Sequence, residues 1–209
     1  TYINGSSQPG TVCGTASMQP QIIIKGYSRL DFGATSDNSA IRGVAFPNSM
    51  VVGHNSVYLS SDNFTLTCSF FGTSDGATSG DRGNFRILDG AHNVSIGTTD
   101  EADRNIFIGA NRVALESAAD SSGVIQNNYF GTNPAGTEIA GSYPSYIALG
   151  GSWDITANIF AYNPNFTDST SSINIYNYGN GSSGKITKNY VGTDKTRTKD
   201  FGSGADYAY

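Results

Sequence analysis

Charge is scarce in this chain: Asp, Glu, Lys and Arg make up 14% of its 209 residues. A helical protein of this size draws heavily on Lys and Glu, so the shortage argues for short strands joined by polar turns. Basic clusters are missing as well. Twelve Lys and Arg stand against 17 Asp and Glu, a net charge of −5, which excludes the cationic groove that nucleic acid needs. No apolar run approaches the roughly 18 residues of a spanning helix, so no membrane insertion is expected. The opening residues, Thr1-Tyr2-Ile3-Asn4-Gly5, lack the charged and apolar regions of a secretion signal. Either a leader has been removed or the chain is a piece of something longer. Cysteine and histidine are nearly absent. Cys13 and Cys68 form no metal motif; they pair in one disulfide closing a long loop, or each is a small buried side chain in a different coil of the chain. His54 and His92 lie in the turn-like contexts Gly53-His54-Asn55 and Ala91-His92-Asn93, and read as surface or turn residues.

What the chain does have is a repeat. Asn128-Tyr129-Phe130-Gly131-Thr132 returns as Asn189-Tyr190-Val191-Gly192-Thr193, 61 residues on, and a degenerate copy, Ser69-Phe70-Phe71-Gly72-Thr73, stands 59 residues earlier. The unit halves: Ile155-Thr156-Ala157-Asn158-Ile159-Phe160 aligns with both Ile125–Phe130 and Ile186–Val191. A second short apolar stretch recurs in each unit, as in Phe85–Leu88, Val113–Leu115, Tyr146–Leu149 and Ile173–Tyr176. These runs are of strand length and show no sustained 3.6-residue period. A unit of about 30 residues cannot bury its own apolar face, so units must stack, like residue above like. The expectation is an all-β fold: a right-handed parallel β-helix of about seven to eight coils, occupying residues 1–209 as one domain. At roughly 4.8 Å per coil the rod is about 35 Å long.

Asn128, Asn158 and Asn189 fall at one point in three consecutive coils. Asparagine tolerates left-handed backbone, and its amide can bond the coils above and below, so these three read as a structural ladder. Gly72, Gly97, Gly131 and Gly192 precede Thr and open the variable loops. They read as turn glycines, since a phosphate cradle needs a following helix.

At this point the residues resemble a known family. Ile3-Asn4-Gly5-Ser6-Ser7-Gln8-Pro9-Gly10, Ile41-Arg42-Gly43-Val44, the segment Gly97–Asn111 and the segment Asn128–Gly136 are similar to strings of bacterial secreted and cell-surface right-handed parallel β-helix repeat proteins. The likeness spans essentially the whole chain. It implies the same fold, an extracellular or cell-surface location, and a chain that begins inside the solenoid. Of chemistry it says little.

Some β-helices process acidic polysaccharides. The strings that mark pectin hydrolases are missing, and no strand carries the paired carboxylates of glycoside hydrolysis. No catalytic residue is assigned and no cofactor is expected; the alternative class remains a polysaccharide lyase or glycoside hydrolase. Loop acids, densest at Asp100, Glu101 and Asp103, read as solvated charge beside Arg104 rather than as a calcium site, so no metal ligand is assigned. Tyr146, Trp153, Tyr176 and Tyr178 lie near strand ends in neighbouring coils. As an exposed row they could stack on sugars; otherwise they cap the core. The functional expectation is a structural or adhesive module. Its possible partners are surface glycans and further copies of itself, since a β-helix leaves open strand edges unless something completes its ends.

Overall fold

The computed structural model describes residues 1–25, 29–47, 56–78, 84–108, 112–141, 145–161, 173–175 and 183–201. Each coil contributes one strand to each of three sheets. The first sheet runs from Tyr2–Asn4 through Ala40–Arg42, Thr65–Thr67, Ala91–Ile96, Ser121–Gln126 and Ser152–Thr156 to Ile186–Thr187. The second holds Ile22–Ile23, Val44–Phe46, Phe70–Phe71, Ile106–Phe107, Tyr129–Phe130, Ile159–Phe160 and Tyr190–Val191. The third runs from Leu30–Phe32 through Val57–Leu59, Phe85–Ile87, Arg112–Ser117 and Ser145–Leu149 to Ile173–Ile175. Every strand pairs in parallel with its counterpart one coil away. The fold is therefore a parallel β-helix, with six full coils and two strands of a seventh among the described residues.

Side-chain register explains why the repeat must be strict. Ile3, Ile41, Leu66, Ile96, Ile125, Ile155 and Ile186 form one continuous column of the first sheet. Across the interior, Phe46, Phe71, Phe107, Phe130 and Phe160 stack ring on ring, with centroids 4.7 to 5.1 Å apart. That spacing is the strand separation itself, so identical rings at identical positions gain stacking as well as burial. A shift of one residue would turn both columns out of the interior.

The second sheet is apolar on its outer face too. Ala45, Phe70, Ile106, Tyr129 and Ile159 cluster there with Met18, Cys68 and Ala140. Loops cover them. Segments 10–20, 131–140 and 192–201 each close through an antiparallel bridge, Val12 with Gln19, Thr132 with Ile139 and Thr193 with Asp200. The recurrent Gly-Thr pairs thus mark where side loops leave the coil. Gly97 shows why glycine is needed at such exits: φ is +76°, and a Cβ there would lie 2.1 Å from Gln126 O. Cys13 and Cys68 are joined by a disulfide, with Cα atoms 5.4 Å apart, tying the first loop to the third coil.

Candidate functional site

Where chemistry could occur is first a matter of which polar groups are already committed. The asparagine column is committed. Asn158 Nδ2 donates to Ile125 O at 2.8 Å and Thr156 O at 3.0 Å, and its Oδ1 accepts the Asn128 backbone N–H at 2.8 Å. Asn128 and Asn189 repeat the pattern one coil away on either side. The column also continues to Asn105, whose Oδ1 accepts the Ser69 N–H, a member the repeat alignment left out. At Asn128, Asn158 and Asn189 the left-handed residue, however, is the one before the ladder position: Asn127, Ala157 and Lys188 have φ between 56° and 57°. The bend falls there, which frees the asparagine itself to point into the turn.

The loop acids are committed as well. Asp103 pairs with Arg42 and accepts Thr98 Oγ1, Asp100 caps a short 3-10 turn through Ala102 N–H, and Glu101 meets Arg104 and Lys195. The Lys195 ammonium foremost, against the opposing effect of burial, holds Glu101 below the usual carboxylate range. Among the described residues no three acids, histidines or cysteines converge on one point. Arg104 is itself buried. Its Nη1 donates to the Tyr129 hydroxyl at 2.6 Å and its Nη2 to Gly14 O at 2.6 Å, while the guanidinium lies 4.7 Å from the Tyr129 ring. Burial pushes the Tyr129 phenol above its ordinary pKa. This cluster pins loops together around the buried Arg104.

Trp153 does not join an exposed aromatic row. Trp153 is 3% exposed, and its indole N–H donates to Gly150 O at 2.9 Å. It faces inward in the column Val94, Gly123, Trp153. The large ring fits because Gly123 leaves room: a Cβ there would lie 2.8 Å from the indole. A buried ring offers no face to a sugar, so the platform reading of Trp153 is corrected. The backbone of Tyr146 belongs to the third sheet, paired with Val113, whereas Trp153 lies on the first. Tyr176, Tyr178 and His54 fall outside the described residues.

The outer face of the first sheet is open. A groove of about 450 Å³ runs across the strands Ala91–Ile96, Ser121–Gln126 and Ser152–Thr156, reaching Ser183 and Gly184. Its floor is a serine column, Ser122, Ser152 and Ser183, with Ser152 Oγ 3.0 Å from Ser183 Oγ. Asp154 stands beside it and accepts the Lys185 N–H at 3.0 Å. Small hydroxylic side chains leave the trough open, beside the larger outward-facing Val124, Asp154 and Lys185 two residues on. At its head His92 Nδ1 lies 3.2 Å from Ser122 Oγ. His92 belongs to a strand, not to the turn its neighbours suggested. The sequence did hold a signal for this column. Each serine stands three residues before a member of the aliphatic column, Ile125, Ile155 or Ile186.

No protein-family model matches the chain, and neither a curated protein nor a solved structure is found to be similar to it.

Proposed function

We propose that the chain is an extracellular structural or adhesive β-solenoid module of a bacterial surface, presenting the serine-lined groove to glycans. The observation that carries this reading is the open groove across the first sheet, where Ser122, Ser152 and Ser183 line up from coil to coil beside Asp154. Repeated hydroxyls with a carboxylate beside them match the hydrogen-bonding needs of a polyhydroxylated chain. The Cys13–Cys68 disulfide supports an oxidising compartment. End-to-end stacking belongs to the same reading. Ile186 and Val191 are 53% and 57% exposed, although their column neighbours Ile155 and Phe160 are buried, and a further coil would cover them through strand addition.

A glycan array tests the adhesive part. Binding should be lost on Ser152→Arg or Asp154→Lys, which fill or recharge the groove without touching the core. An array with no hits, or hits indifferent to both substitutions, would remove glycan adhesion. Light scattering and negative-stain microscopy test stacking: short rods growing with concentration are expected, and a strict monomer at high concentration refutes it.

A further inference from the structure

His92 and Ser122 do not meet by ordinary sheet geometry. Regular pairing holds at Ala91 with Ser121 and again at Val94 with Gly123, so His92 and Asn93 together oppose the single Ser122. Asn93 takes φ +55° to allow it. A bulge of this kind re-aims a side chain out of the pleat. It is held in place from the neighbouring coil, where the Asp62 carboxylate accepts the His92 backbone N–H at 2.7 Å. The imidazole Nδ1 then lies 3.2 Å from Ser122 Oγ, and Nε2 lies 3.8 Å from Asp120 Oδ1. The histidine side chain is 43% exposed, and Ser122 lines the groove, so both are within reach of a bound molecule.

We propose that Ser122 is a nucleophile with His92 as its general base, and that the groove hydrolyses small acyl esters. Ser122 Oγ bonds to the ester carbonyl carbon while its proton passes to His92 Nδ1. The carbon–oxygen bond to the alcohol then breaks, and the departing oxygen takes that proton. Water, deprotonated by His92, attacks the acyl-serine. A carboxylic acid leaves and Ser122 recovers its hydrogen. For Nδ1 to accept, the imidazole proton must sit on Nε2, the nitrogen that faces Asp120. Asp120 is thus a positioning residue that selects the tautomer. Ser152 stands directly opposite Ser122 in the next strand, and its hydroxyl can turn to donate to the carbonyl oxygen as charge develops there. The walls combine hydroxyls, the Asn93 amide and the Asp154 carboxylate with the apolar Val94, Val124 and Trp153, which suits an acetyl-sized acyl group on a hydrophilic alcohol. That the alcohol is a sugar rests on the glycan reading above; the chemistry at Ser122 does not.

The test uses the 209-residue chain. A fluorophosphonate probe followed by peptide mapping should label Ser122, and p-nitrophenyl acetate should be turned over. Ser122→Ala and His92→Gln should each lower turnover by about 100-fold or more, with circular dichroism and melting temperature unchanged, since both side chains lie at the surface. Asp120→Asn should lower kcat at constant KM, and Asp120→Glu should restore part of it. Turnover of Ser122→Ala or His92→Gln within about threefold of the parent chain, or labelling at another serine, overturns the proposal. Acetylated and deacetylated xylan separate the two readings. A chain that hydrolyses the nitrophenyl ester but binds neither xylan keeps the nucleophile and loses the glycan.

Discussion

Replacing Asn158 by alanine should cost far more than its size suggests. The substitution removes the acceptor of the Asn128 backbone N–H, and the donor to Ile125 O and Thr156 O. Thr156 O keeps the Asn127 N–H at 3.1 Å. The Asn128 N–H keeps nothing, and Asn128 is fully buried. An orphaned buried donor costs about 1–3 kcal/mol, and each lost neutral hydrogen bond about 1 kcal/mol, so the expected loss is roughly 3 kcal/mol. Asn189→Ala removes the same kind of acceptor, from the Asn158 N–H. That bond is only part-buried, because Asn189 is itself partly exposed, so water can take over once the side chain is removed and the loss should be about 1 kcal/mol. Urea unfolding followed by the fluorescence of the lone tryptophan, Trp153, measures both. A loss below about 1 kcal/mol for Asn158→Ala, or equal losses at the two positions, would refute the ladder as a source of stability.

The Cys13–Cys68 bond closes a loop across 55 residues. Chain-entropy reasoning gives it about 4 kcal/mol, so the double variant Cys13→Ser, Cys68→Ser should unfold at markedly lower urea; an unchanged midpoint sinks the estimate. Trp153→Ala should destabilise by about 3–5 kcal/mol through the cavity it leaves; full stability with selective loss of sugar binding would contradict the burial. Burial works against ionisation of Asp75, but hydrogen bonds from Thr78, Ala77 and Thr73 outweigh it and hold its pKa at about 2. Asp194 is likewise held at about 2, against burial, by Thr196, Lys199 and Thr198. Both folded values lie below the ordinary 3.8, so their stabilisation is fully present above about pH 4 and is lost as pH falls toward 2. Thermal melts should decline over that window and decline less in Asp75→Asn, Asp194→Asn; parallel curves would refute the assignment. Ala157 and Lys188 hold left-handed backbone at φ +56°, so Ala157→Gly should raise stability by up to about 1 kcal/mol, read as a higher melting temperature, and a lower one counts against strain there.

The sequence by itself determined the parallel β-helix. Ile125, Ile155 and Ile186, and Phe130 and Phe160, recur at one spacing, and a parallel stack is the arrangement in which equal spacing becomes contact. The asparagine ladder was legible for the same reason. Position along the chain maps directly onto position along the rod, so a repeated residue is also a stacked one. Direction was not legible. Trp153 sits beside the polar residues Ser152 and Asp154, yet the alternation of the strand and the space over Gly123 send it inward. The disulfide, the second apolar layer over Ile106 and Tyr129, and the loops that cover it depend on chain segments brought together across several coils, a distance the 30-residue period does not encode. The meeting of His92 with Ser122 was hidden most deeply. It arises where the repeat is broken by one extra residue, and only folding decides which side chain the bulge turns outward and what it then touches.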